Sequence, residues 1–170
     1  MFWLFSPDQS KKTGSITFFL FCICALLGQV AWSFDTKAKA AYAIDLTSGS
    51  VLLSKNSETP LPPASMSKLM TLYMAFEFIR AGRLSLDEKL PVSEHAAGYG
   101  GSTMFLDTSD RVTVEDLLRG IIVLSGNDAC AVIAEALSPD GTEAGFATMM
   151  TQRAKQLGMT QSTFTNSNGW

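Results

Sequence analysis

The chain is best understood from one stretch, Pro62-Pro63-Ala64-Ser65-Met66-Ser67-Lys68-Leu69-Met70-Thr71. Two prolines followed by a long apolar run are typical of the start of a buried helix. Ser65 and Lys68 are three residues apart, so both side chains should lie on one face of the first helical turn. The stretch therefore predicts a candidate nucleophile beside a candidate base.

A serine and a lysine at this spacing can act as an acylating pair. The serine becomes a good nucleophile when a neighbour takes its proton, and a lysine can do so only while its amine is neutral. Because burial lowers the pKa of a lysine, the pair needs a mostly closed pocket. We expect the helix to run from Leu69 to Ile79 and to end before Gly82. The alternative for Ser65, taken alone, is an ordinary helix cap.

The composition indicates an exported globular protein. With 46% hydrophobic and 17% charged residues, the chain can bury a core. A basic pair, Lys11-Lys12, precedes an apolar run, and small residues follow at Ala31 and Ser33, so we expect residues 1–33 to be a cleaved signal peptide. A permanent N-terminal anchor is the alternative. The net charge of −3 gives no indication of nucleic-acid binding.

The region after the signal predicts a strand pair followed by irregular structure. Two strand-like runs, Ala41–Leu46 and Val51–Lys55, flank a polar turn and predict a β-hairpin. Between Arg83 and Thr113 we expect only a turn or a short helix. His95 is the only histidine, so a histidine-rich zinc site is excluded and a Ser-His-Asp triad would have to use it. We interpret His95 as a surface residue.

The second half of the chain predicts helices around a short polar turn. Thr113 should cap the first helix, and Ser125-Gly126-Asn127 should turn the chain into the next one. The polar side chains of this turn either cap helices or line a cleft. Cys130 is the only cysteine outside the signal segment, so it can form no intrachain disulfide and is expected in the core. The remaining expected elements are a helix over residues 142–157 and a strand over 162–165.

Together these motifs resemble the first two motifs of the penicillin-binding proteins and serine β-lactamases. Ser-x-x-Lys at Ser65 and Lys68 is followed further along by Ser-x-Asn at Ser125 and Asn127. The surrounding residues are similar to the D-alanyl-D-alanine carboxypeptidases of the low-molecular-mass class over the segments 63–71, 101–106 and 116–129. The resemblance implies an α/β (α+β) architecture, the penicillin-binding/β-lactamase-like transpeptidase fold, here a helical subdomain with an incomplete antiparallel sheet.

The same resemblance implies a mechanism and a substrate. Ser65 would attack the carbonyl between the two terminal D-alanines of a peptidoglycan stem peptide, with Lys68 as its base. Ser125 would pass a proton to the leaving amine, and Asn127 would bind or position substrate. The backbone N–H of Ser65 would supply one oxyanion donor. β-Lactams would acylate the same serine, and neither a cofactor nor a metal is implied.

The family's third motif, Lys-Thr-Gly, does not occur after Ser125. The only Lys-Thr-Gly is Lys12-Thr13-Gly14, inside the predicted signal. We therefore expect residues 34–170 to be the N-terminal part of a carboxypeptidase catalytic domain, truncated before the third motif and weakly active or inactive alone. A missing C-terminal region would carry any peripheral membrane association, with the protein in the periplasm at the outer face of the bacterial inner membrane.

Three alternatives share these motifs. A D-alanyl-D-alanine endopeptidase would differ mainly in the shape of its cleft. A β-lactamase of the same fold would need a deacylating carboxylate, and no Glu-x-x-x-Asn segment follows Ser125. An inactive module would bind cell-wall peptide or penicillin without turning it over.

Overall fold

The computed structural model describes residues 36–170, so the predicted signal segment lies outside the described residues. The first of two compact units ends at Thr59 and contains an antiparallel hairpin of β1 (Ala41–Ile44) and β2 (Val51–Lys55). Asp45 closes the turn, because its Oδ1 accepts a 2.8 Å hydrogen bond from the N–H of Thr47. The predicted hairpin is confirmed, with β1 ending at Ile44.

The second unit, Pro60–Trp170, is largely helical and has one two-stranded sheet. Helices with small antiparallel sheets make this an α+β chain, as the sequence predicted. In chain order its elements are a 3-10 turn (Ala64–Ser67), α1 (Lys68–Arg80), β3 (Lys89–Pro91), α2 (Glu94–Ala97), β4 (Arg111–Thr113), α3 (Val114–Leu124), α4 (Asn127–Leu137) and α5 (Glu143–Gln156).

Helix α4 is the centre of the second unit. It packs against α1, α2, α3 and α5, and its residues 129–134 are almost completely buried. Small side chains at Ala129, Cys130 and Ala131 leave room for these neighbours to approach closely. Cys130 is a free, fully buried thiol, which confirms its predicted place in the core.

Threonine caps fix where two of these helices begin. Thr113 Oγ1 accepts from the N–H of Asp116 at 3.2 Å at the start of α3, and Thr142 Oγ1 accepts from the N–H of Gly145 at 3.0 Å at the start of α5. Both starts were predicted from sequence. Helix α3 ends where Ser125 adopts the left-handed conformation, with φ of 58°.

Two predictions of secondary structure are wrong. The region between Arg83 and Thr113 was expected to be irregular, but it contains the antiparallel strands β3 and β4. Leu90 lies opposite Val112 in this pair. Strands this short have no detectable period. The segment around Phe164 is not a strand, because its N–H bonds to the side chain of Thr151 on α5, at 2.9 Å, instead of to another strand.

Helix α1 is buried on one face only. Met70, Met74 and Ala75 lie in the core, whereas Leu69 and Phe76 are 68% and 49% exposed. The predicted burial of this helix therefore holds for one face only. In the described part of the chain, no helix combines the length and apolarity needed to cross a membrane.

Candidate active site

Ser65 and Lys68 are neighbours at the start of α1. Ser65 lies in the 3-10 turn, which runs directly into the helix, and Lys68 is the first helical residue. Lys68 Nζ lies 3.0 Å from Ser65 Oγ. Ser65 is exposed, whereas Lys68 is only 4% exposed. The structure thus places an accessible hydroxyl against a buried amine.

The turn that carries Ser65 is held in a strained, tightly packed conformation. Ala64 has φ of 49°, which is the left-handed region that costs a non-glycine residue about 1–2 kcal/mol. Gly169 packs directly against this turn, because a Cβ at position 169 would overlap the main-chain oxygen of Ala64. The backbone before the candidate nucleophile is therefore fixed by a residue far along the chain.

Burial changes the proton affinity of two groups here. It lowers the pKa of Lys68 below the ordinary value of 10.5. Burial raises the pKa of Cys130 to about 12, so this thiol stays protonated at neutral pH. The Lys68 amine is neutral in a larger fraction of molecules than a free lysine would be. That is the direction a base for Ser65 requires.

Lys68 has a second hydrogen-bond partner that sequence reasoning missed. Its Nζ donates to the main-chain carbonyl of Asn168 at 3.0 Å. The preceding residue, Ser167, also accepts from α1 through its carbonyl, here from Thr71 Oγ1 at 2.5 Å. Ser167 and Asn168 are completely buried. The segment that contains Ser167 and Asn168 therefore forms one wall of the site.

Ser125 caps the end of α3, and Asn127 is the first residue of α4. Asn127 is 2% exposed, and its Nδ2 donates to the carbonyl of Gly100 at 2.9 Å. Among the described residues, no hydrogen bond joins Ser125 or Asn127 to the side chain of Ser65 or Lys68. The connection runs instead through Asn168, whose Nδ2 donates to the Asn127 carbonyl at 3.5 Å. Both Asn127 and Lys68 thus contact the same residue.

Asp128 anchors the loop that follows Gly101. This carboxylate is 1% exposed and accepts from the N–H groups of Met104 and Leu106 at 2.9 and 3.1 Å. Asp128 directly follows Asn127, so one helix start holds both sides of this loop. Sequence analysis assigned Asp128 no role, although an acidic residue in the first turn of a helix is the signal that could have drawn attention to it.

Glu143 is a second buried carboxylate that sequence analysis missed. It is 8% exposed and receives four hydrogen bonds. Its Oε1 accepts from the N–H and Oγ of Ser167 at 2.9 and 2.6 Å, and its Oε2 accepts from His95 Nε2 and Tyr99 OH at 2.7 and 2.6 Å. His95 is half exposed, as expected of a surface residue, but its ring contacts this buried group. In the sequence, Glu143 looks like an ordinary acidic residue of a helix N-terminus.

Between residues 36 and 170, no group of three or more His, Cys, Asp or Glu side chains is placed to hold a metal ion. The chemistry that the site can perform with its own groups is proton transfer between Ser65 and Lys68, with formation of a bond to the serine oxygen.

Comparisons with known proteins agree on one family. The profile of peptidase S11, D-alanyl-D-alanine carboxypeptidase, matches residues 28–170. The D-alanyl-D-alanine carboxypeptidase DacF of Bacillus subtilis is 41% identical over 133 residues, which are 78% of this chain and 34% of that protein.

Solved structures give the same result. The D-alanyl-D-alanine carboxypeptidase DacD of Francisella tularensis superposes with a TM-score of 0.77 at 38% identity, covering 81% of this chain and 33% of that one. Penicillin-binding protein D2 of Listeria monocytogenes, solved in an ampicillin-bound form, has a TM-score of 0.68 at 32% identity and covers 78% of this chain and 52% of that one. The chain therefore spans about a third to a half of the lengths of these proteins.

Proposed function

Because this chain belongs to the D-alanyl-D-alanine carboxypeptidase family, peptidase S11, and has the α+β fold of its penicillin-binding relatives, we propose that it carries the nucleophile of a serine-type D-Ala-D-Ala carboxypeptidase. The observation that carries the proposal is the 3.0 Å approach of Lys68 Nζ to Ser65 Oγ, in surroundings that lower the pKa of the amine. The substrate is a peptidoglycan stem peptide that ends in D-Ala-D-Ala.

The first half of the reaction forms an acyl-enzyme. Ser65 Oγ bonds to the carbonyl carbon between the two D-alanines, while its proton passes to the neutral Lys68 amine. The backbone N–H of Ser65 donates to the oxygen that becomes negative. The carbon–nitrogen bond then breaks, and Ser125 passes a proton to the leaving nitrogen and takes one from the Lys68 ammonium, so that D-alanine departs with a neutral amine and Lys68 is neutral again.

The second half releases the shortened peptide. Water attacks the ester carbon as the neutral Lys68 amine takes its proton, the bond to Ser65 Oγ breaks, and the serine oxygen regains a proton from the Lys68 ammonium. Asn127 orients the substrate. One N–H of its Nδ2 donates to the Gly100 carbonyl, and Oδ1 is proposed to accept a hydrogen bond from a substrate amide.

We expect β-lactams to inhibit this reaction by acylating Ser65. Their strained amide presents a carbonyl to Ser65 in the same way, and the relative from Listeria monocytogenes was solved with ampicillin bound. A substrate in peptidoglycan places the reaction outside the cytoplasm. The signal peptide over residues 1–33 and a peripheral membrane association stay predictions.

Two parts of the family's site, the cation for the substrate carboxylate and the second oxyanion donor, are proposed to lie outside the Ser-x-x-Lys and Ser-x-Asn motifs. Residues 34–170 would form the first part of the catalytic domain, in agreement with the share of the relatives that they match. The cation that binds the substrate carboxylate and the second oxyanion donor, which Lys-Thr-Gly supplies in the family, have no counterpart after Ser125. We therefore expect weak turnover, or none, from the 170 residues alone.

Peptide hydrolysis by the full gene product tests the function. A peptide ending in D-Ala-D-Ala should lose one D-alanine, and Ser65→Ala should abolish the release. Ser67→Ala is the control, because Ser67 lies two residues along the same turn, is buried and makes no side-chain cap hydrogen bond to α1, so activity should persist. Cleavage only of cross-linked peptides would instead establish the endopeptidase, cleavage only of β-lactams the β-lactamase, and binding without cleavage the inactive module.

A further inference from the structure

The dipeptide Ser167–Asn168 is clamped between Glu143 and helix α1. On one side, the N–H and Oγ of Ser167 donate to the Glu143 carboxylate. On the other side, the two carbonyls accept from Thr71 and Lys68. The position of the carbonyl that faces the Lys68 amine therefore depends on the carboxylate that holds the residue before it.

This carbonyl decides where the Lys68 lone pair points. A neutral amine has two hydrogens and one lone pair, and it can rotate about the Cε–Nζ bond. Once one N–H is committed to the Asn168 carbonyl, rotation is restricted and the lone pair can stay directed at Ser65 Oγ. An amine without that acceptor would spend less time in the reactive orientation.

We propose that Glu143 is a positioning residue for Lys68: by holding Ser167, it keeps the Asn168 carbonyl on the Lys68 amine and so orients the amine towards Ser65. The inference rests on the proposed function of Lys68 as the base. It extends that function to a residue on another helix that touches neither the nucleophile nor the base.

Glu143 is suited to this role because it is ionised. Burial alone would raise its pKa, but the hydrogen bonds from Ser167, Tyr99 and His95 outweigh burial and leave the pKa lowered. A carboxylate can accept all four hydrogen bonds, whereas the carboxamide of glutamine offers one acceptor oxygen and a donor in place of the other. The substitution Glu143→Gln should therefore release part of the clamp without changing side-chain volume.

The titratable groups packed around the clamp are few. His95 and Tyr99 face Glu143, and burial, with the bond to Glu143, raises the pKa of Tyr99 to about 12. Cys130 faces both Glu143 and Lys68 from α4. His95→Gln removes the imidazole and so separates its contribution from that of Lys68.

The test uses nuclear magnetic resonance on the 170-residue chain, with no substrate. Hydrogen exchange of the Ser167 amide reports on the clamp, and the Lys68 side-chain resonances report on the amine titration. In Glu143→Gln, exchange should accelerate about tenfold or more, as expected for the loss of a hydrogen bond to a charged group. The Lys68 titration should move to lower pH, because the amine loses a carbonyl acceptor that favours the ammonium form. Glu143→Asp should give a smaller change.

Glu94→Gln is the matched control, since Glu94 is an exposed carboxylate on α2 next to His95 and should change neither readout. If the Ser167 amide is released but the Lys68 titration stays in place, Glu143 has a structural role only and the proposal is wrong. If Glu143→Gln does not fold, Ser167→Ala decides, because it removes one donor to Glu143 without removing a charge and must still move the Lys68 titration to lower pH. Failure of the proposed function is seen separately, as a Ser65 that penicillin does not acylate.

Discussion

Lys68 and Asn168, one hundred residues apart in the sequence, are joined by a 3.0 Å hydrogen bond from the amine to the main-chain carbonyl. This bond ties the turn that carries the candidate nucleophile to the segment after α5. Gly169, the next residue, packs against the same turn. Changes in the last residues of the described chain should therefore be detected at Ser65 and Lys68.

Gly169→Ala should lower the free energy of unfolding and disturb the Ser65 turn. The position has φ of 76°, and the new Cβ would overlap the Ala64 carbonyl oxygen. Left-handed backbone costs an alanine about 1–2 kcal/mol, and overpacking adds about 1–3 kcal/mol. Urea unfolding of the 170-residue chain measures the combined loss of unfolding free energy from backbone strain and overpacking.

Gly158→Ala is the control for that experiment. Gly158 also has positive φ, 88°, but a Cβ there would meet open space. Gly158→Ala should therefore lower the free energy of unfolding only by the backbone strain, about 1–2 kcal/mol. Equal losses in the two variants would show that Gly169 does not pack against the turn as described.

Gly120→Ala should be destabilising even though alanine favours helices. Replacing a glycine inside an exposed helix gains about 1 kcal/mol, but a Cβ at Gly120 on α3 would overlap Met104 Sδ. Met104 cannot easily withdraw, because Asp128 holds its N–H. The prediction is checked by a double-mutant cycle on unfolding free energy. In a Met104→Ala background the same substitution should become neutral or stabilising, and an unchanged cost would rule out the contact.

Acid should weaken the wild-type chain more steeply than Glu143→Gln. Hydrogen bonds that outweigh burial hold the folded-state pKa of Glu143 below its ordinary value of 4.5. A lowered carboxyl pKa contributes stability that is present above the unfolded-state pKa and is lost as pH falls through the folded-state pKa. Glu143→Gln should be less stable at pH 7 but should lose less between about pH 5 and pH 3. Parallel pH profiles of urea midpoints would contradict this.

The chemistry of the site could be predicted because the motifs that indicate it are short and local in the sequence. The spacing of Ser65 and Lys68 places both on one helical turn, so their proximity follows from helix geometry alone. Thr113 and Thr142 likewise predict where α3 and α5 begin, because threonine is a common N-cap residue. The helices, the hairpin and the burial of Cys130 could also be predicted from local sequence patterns.

The missed features depend on contacts between distant segments. The Asn168 carbonyl belongs to the main chain, so no residue type signals its bond to Lys68. Glu143 has the appearance of a surface residue at a helix start, and only the folded chain brings Ser167 against it. The three-residue strands β3 and β4 pair across the chain and have too few residues for a periodic pattern.

Covalent labelling of the full gene product with a fluorescent penicillin, followed by mass spectrometry of the labelled peptide, tests the proposed nucleophile. The 3.0 Å approach of Lys68 to Ser65 predicts one label, on the peptide that contains Ser65. Ser65→Ala should abolish the label, whereas Ser67→Ala should retain it. A wild-type protein that takes no label, or a Ser65→Ala variant that still takes one, would contradict the assignment of Ser65 as the nucleophile.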